Sequence, residues 1–108
     1  MSNKFGLKER DLEDIISILQ QQPQVESAVI FGSRAKGNYK NGSDVDIALR
    51  GDLVNLQVIS QISYLLNEET FMPYKFDIVN YNSIQNNDLV KHIDSIGIPF
   101  YKKMKQKV

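Results

Sequence analysis

Two short apolar runs, 25–31 and 45–49, bracket a polar segment that opens on glycine, and from Asp44 through the second run the residues alternate. Asp44, Asp46 and Ala48 fall on one side of it, Val45, Ile47 and Leu49 on the other. A strand sends successive side chains to opposite faces, so this pattern demands a sheet with one face in a core and a carboxylate-bearing face turned away from it. At a rise of about 3.3 Å per residue, the Cα atoms of Asp44 and Asp46 lie about 6.6 Å apart, within reach of a shared cation cluster. Two unpaired carboxylates side by side repel, and a divalent metal relieves that repulsion.

The first run supplies what a metal-carried phosphate needs. Residues 25–31 are short, apolar and rich in β-branched side chains, and they stop at Gly32-Ser33, where glycine lets the backbone approach a ligand closely. Ser33 then opens a helical turn, whose free N–H groups, hydroxyl and dipole together suit an anion. Phosphate on one side and metal on the other describe a nucleoside triphosphate.

Other motifs with similar residues do not fit. Gly32 and Gly37 have the glycine spacing of a P-loop, but Asn38 and Tyr39 stand where that motif requires Lys and Ser or Thr. Asp44-Val45-Asp46 resembles the start of an EF-hand loop, yet Ala48 and Leu49 occupy the places of the third ligand and the turn glycine. A plain hairpin turn at Asn41-Gly42, capped by Ser43 and Asp44, explains those four residues but leaves the Gly-Ser turn upstream without a reason.

The run Ile30-Phe31-Gly32-Ser33-Arg34-Ala35-Lys36-Gly37, followed by Ser43-Asp44-Val45-Asp46-Ile47-Ala48-Leu49, resembles the signature of the minimal nucleotidyltransferases of the polymerase-β superfamily. The resemblance extends over nearly the whole chain, since a leading amphipathic helix and a later acidic strand also fall where that family has them.

Composition sets the outer limits. A chain of 108 residues forms one domain, 1–108, with one core. Thirteen basic residues balance thirteen acidic ones, so attraction to phosphate must be local, and neither direct nucleic-acid binding nor an anionic membrane is expected. Cysteine is absent, which removes disulfides and thiolate metal sites; with no secretion signal at the N-terminus, the expected location is cytoplasmic.

Along the chain, Leu12, Ile15, Ile16 and Leu19 have helical spacing between Lys8 and Gln22, and Pro23 closes that helix. A second apolar stripe, Val58, Ile59, Ile62, Leu65 and Leu66, predicts another helix, with Asp52 or Asn55 as its cap. Strand character returns over 74–79, and there Asp77 sits between Phe76 and Ile78, so its carboxylate points away from their side. Pairing with a lysine is the ordinary explanation of such an acid. A last helix is expected over 83–96, stopped by Gly97; His92, the only histidine, reads as a surface residue on it. The segment 98–101 reads as a partial strand or docking patch, and 102–108, with Lys102, Lys103, Lys105 and Lys107, as a mobile basic tail.

These elements predict an α/β (α+β) domain, a small mixed sheet with helices packed on one face, and the resemblance implies the same polymerase-β-like fold. It further implies that Asp77 joins Asp44 and Asp46 as the third catalytic carboxylate and metal ligand, holding one or two Mg²⁺ ions. Gly32, Ser33 and Arg34 then form the nucleotide-binding set, with Arg34 open between contacting phosphate and neutralising the acidic cluster while solvating its helix. ATP is the implied substrate, and a hydroxyl is the acceptor of its AMP. The implied partner is a HEPN ribonuclease toxin, modified on a tyrosine, which makes this chain the antitoxin, in a homo- or hetero-oligomer. Two alternatives stay open: an antitoxin that acts by binding alone, and a transferase for a small molecule such as an antibiotic.

Overall fold

The computed structural model describes residues 5–104. Helix α1 spans Glu9–Gln20, and strand β1, Ser27–Phe31, leads directly into the short helix α2, Gly32–Lys36. Strand β2 (Val45–Arg50), helix α3 (Leu56–Glu68) and strand β3 (Phe76–Asn80) follow, then a 3₁₀ turn at Tyr81–Ser83, helix α4 (Asn87–Ile96) and strand β4 (Ile98–Lys102).

The four strands form one mixed sheet in the order β3-β2-β1-β4. Strand β1 is antiparallel to both β2 and β4, whereas β2 and β3 run parallel, joined by the α3 crossover. One face of the sheet presents Ala28, Ile30, Val45, Ile47, Leu49, Phe76 and Ile78, and this face packs with Ile15 and Leu19 of α1 and Val58, Ile62 and Leu66 of α3 into the main core. Each such side chain contributes about 2 kcal/mol on burial, enough to hold the alternating strand in one register. The opposite face carries a smaller cluster of Val29, Phe31 and Ala48, covered by Ile93 of α4. The mixed sheet is therefore as expected, with the two long helices on one face; α4 lies over the other.

Several local expectations are refined. The cap of α3 is Asn55, whose Oδ1 accepts from the Val58 amide at 3.0 Å. The helix expected over 83–96 is split, because Asn80 and Asn86 cap two separate segments. Residues 98–101 belong to a full edge strand, β4, whose pairing with β1 shifts register between Ala28 and Val29. Its Pro99 is tolerated because an edge strand leaves one row of backbone groups unpaired. Of the segment 102–108 expected as a mobile tail, the first two residues are held: Lys102 ends β4, and Lys103 donates from its backbone to Glu26 O at 2.8 Å and from Nζ to Pro23 O at 2.9 Å. Lys105 and Lys107 lie outside the described residues. No helix among the described residues is long and apolar enough to cross a membrane.

Candidate active site

Strand β2 begins at Val45, so the alternation applies to Asp46, while Asp44 precedes the strand. Val45, Ile47 and Leu49 are wholly buried, which turns Asp46 to the opposite side, the side that α4 partly covers. Phe31 stands opposite Asp46 in the antiparallel pair β1–β2, so the end of β1 and the start of β2 meet on that face. In the parallel pair β2–β3, Asp46 stands opposite Asp77, while Phe76 and Ile78 go into the core. Neighbouring strands lie about 4.8 Å apart, and side chains in register share a face. The two carboxylates therefore stand side by side, with Asp44 in the exposed segment just before β2.

The charges are felt. Burial first, then the negative charges of Asp77 and Asp44, push the Asp46 carboxyl from 3.8 up to about 6. Among the described residues no lysine lies within ion-pair distance of Asp77; the ion pair found there, Arg50–Asp94 at 3.5 Å, is elsewhere. The charges of Asp77 and Asp44 both bear on Asp46, and no group of three or more His, Cys, Asp or Glu among the described residues forms a ready metal cluster. A set of hard oxygen donors, with negative charges gathered around Asp46, suits a divalent ion such as Mg²⁺.

The glycine turn abuts this set. Gly32 has φ +72°, and a Cβ placed there would collide with the Asp46 Oδ2, so glycine is required both by the backbone and by the approach of the carboxylate. Ser33 follows in the first turn of α2, which ends at Gly37 in the left-handed conformation, φ 89°. Gly32 and Ser33 thus border the acidic face.

Arg34, expected with them on the nucleotide, has another role. Its side chain is 1% exposed, and its Nη1 donates to Phe5 O at 2.9 Å, its Nε and Nη2 to Ser43 O at 3.2 and 3.0 Å, and its Nη2 to Asn41 O at 3.4 Å. The guanidinium also lies over the rings of Tyr39 and Tyr74, 5.2 and 5.1 Å from their centroids. Its donors are committed to the loop that delivers Asp44, so Arg34 holds that loop in place and is corrected from a phosphate contact to a structural clamp.

Two further residues bear on the site that spacing did not disclose. Asn67 of α3 brackets Phe76, accepting from its amide at 2.8 Å and donating to its carbonyl at 3.0 Å, which fixes the strand one residue before Asp77. His92 is half-buried, and its Nε2 accepts from the Gly32 amide at 3.3 Å. Neither contact has a local sequence signal, since the partners are separated by a loop in one case and by 60 positions in the other.

Carboxylates gathered on two parallel neighbours of a mixed sheet, beside a Gly-Ser turn, define a nucleotidyltransferase. The chain belongs to the family described as Polymerase beta, Nucleotidyltransferase, which it matches over residues 13–106. It is 32% identical over 78 residues to a candidate protein adenylyltransferase of Methanocaldococcus jannaschii, an alignment covering 71% of this chain and 78% of that one. Among solved structures, the same fold occurs in a toxin–antitoxin crystal structure with AMP-PNP (TM-score 0.69, 19% identity, 90% of this chain and 75% of that one). It occurs again in a complex of tri-AMPylated Shewanella oneidensis HEPN toxin with MNT antitoxin (TM-score 0.67, 18% identity, 90% and 74%).

Proposed function

We propose that this chain is an Mg²⁺-dependent protein adenylyltransferase that moves AMP from ATP to a tyrosine hydroxyl of a HEPN-type toxin and acts as its antitoxin. The observation that carries the reading is the register of Asp46 with Asp77 on the face bordered by Gly32 and Ser33. The adenylyltransferase relative and the fold shared with an MNT antitoxin in complex with an AMPylated toxin support the choice of nucleotide and partner.

Asp44, Asp46 and Asp77 would hold the metal, which when bound neutralises the triphosphate and polarises the α-phosphorus. Ser33 offers its hydroxyl to the outer phosphates. Asp77, exposed at the sheet edge, is the carboxylate that an incoming acceptor meets first, and it takes the proton of the attacking hydroxyl. The acceptor oxygen forms a bond to the α-phosphorus, the bond from that phosphorus to the bridging oxygen breaks, and pyrophosphate leaves.

The test is incubation with a HEPN partner, Mg²⁺ and ATP labelled in the α-phosphate. Label on the partner, lost with Asp44→Ala or Asp77→Ala, is the expected result. Silencing of the toxin by the Asp44→Ala protein, undiminished and with no label transferred, would replace catalysis with neutralisation by binding. Label on an aminoglycoside in place of the protein would move the enzyme to small-molecule substrates.

A further inference from the structure

The contact between α4 and the glycine turn has a chemical direction. For the His92 Nε2 to accept from the Gly32 amide at 3.3 Å, that nitrogen must be unprotonated and the ring proton must sit on Nδ1. The ring is held edge-on to Phe31, centroids 6.1 Å apart and planes at 83°, so packing fixes its orientation as well as its hydrogen bond. Phe31 is the residue opposite Asp46, and Gly32 is the residue at which an added Cβ would collide with the Asp46 Oδ2. A single imidazole thereby joins α4 to the end of β1 at the point where the turn meets the acidic face.

From this arrangement we infer that His92 is a positioning residue, which pins the Gly32 amide and so keeps the Gly32–Ser33 turn against Asp46 in the conformation that receives the metal-bound nucleotide. The inference rests on the transferase reading above and extends it to α4. A glycine at positive φ between a strand and a five-residue helix has wide backbone freedom once its amide is released. Freezing that freedom on ligand binding costs affinity, whereas a turn already pinned binds without the cost. His92 therefore acts on ground-state binding of Mg·ATP and leaves the chemical step alone.

The experiment compares Mg·ATP affinity, KM for ATP and kcat in the wild type, His92→Leu, His92→Gln and His92→Asn. Gln places an oxygen near the position of Nε2, while Leu has no acceptor and the oxygen of Asn is too short to reach. Expected is an affinity about tenfold weaker and a KM for ATP about tenfold higher for Leu and Asn, with kcat within about threefold, and near-complete rescue by Gln. The Gly32 amide resonance should move in the same two variants. Should Leu not fold, the Asn and Gln pair carries the comparison.

Equal affinity in all four proteins overturns the inference, and so does tighter binding by Leu, which would make His92 a competitor of phosphate for the amide. Equal loss in Gln and Asn also overturns it, since ring packing would then be the cause. A wild type that binds no Mg·ATP overturns the transferase reading and this inference together, whereas variants indistinguishable from a binding wild type overturn this inference alone.

Discussion

Asp46 and Asp77 occupy matched positions in the parallel pair β2–β3, and burial together with the charges of Asp77 and Asp44 holds the Asp46 carboxyl at about 6. The raised value carries a stability consequence whose sign is fixed. Below about pH 4 the group is protonated in folded and unfolded chains alike. Between 3.8 and about 6 the unfolded chain loses its proton first, so stability falls as pH rises, and above about 6 the penalty is complete. Allowing for the solvent that reaches this half-exposed group, the penalty is about 1 kcal/mol. Asp46→Asn should thus raise the Tm of the metal-free protein by about 5 °C at pH 7, and leave it unchanged at pH 4. Thermal melts of both proteins at the two pH values check this. No gain at pH 7 would mean that the three charges do not act on one another.

Arg34→Ala should destabilise by about 3 kcal/mol, since it removes the hydrogen bonds donated to Phe5, Asn41 and Ser43 and empties a fully buried site. Arg34→Lys should recover less than half of this, because an ammonium cannot serve three carbonyls in the plane of the guanidinium fork. Denaturant midpoints measure both. Loss of ATP affinity in Arg34→Lys with no loss of stability would return the residue to the phosphates.

Gly32→Ala should lower nucleotide transfer at least about a hundredfold, since the side chain enters the space of the Asp46 Oδ2 and the backbone sits at φ +72°. Its stability cost should be only about 1–2 kcal/mol, so the protein remains folded for assay. Transfer within threefold of wild type would show that the turn can shift without harm.

Asn67→Ala removes both hydrogen bonds to the backbone of Phe76. A loss of about 2 kcal/mol is expected, with a fall in kcat greater than the rise in KM for ATP, because the strand it holds delivers Asp77 and not the phosphate turn. Urea titrations and steady-state kinetics on the same samples read out the two effects.

How far the fold was legible in the sequence follows from what each pattern encodes. The period-two run at 45–49 named its own buried face, and the positive-φ turn was visible in Gly32. Helical spacing placed α1 and α3, whose partners lie within one continuous core. Which sheet face α4 would cover was not legible, because Leu89, Val90 and Ile93 state that a stripe is apolar and not what it meets. For the candidate site, alternation alone put Asp44 and Asp46 near one another, but Asp77 required the strand order, which no local pattern holds. Arg34 misled for a physical reason: a guanidinium beside a phosphate-like turn has the same sequence appearance whether its donors serve an anion or the carbonyls of its own loop.

The parallel alignment of β3 with β2 also protects the chemistry against error. A slip of one residue would exchange the sides of Phe76, Asp77 and Ile78, driving a charged group into hydrocarbon and two large apolar groups into water. Misalignment is thus not a less active enzyme but an unfolded edge, and every molecule that completes folding carries its acids in step.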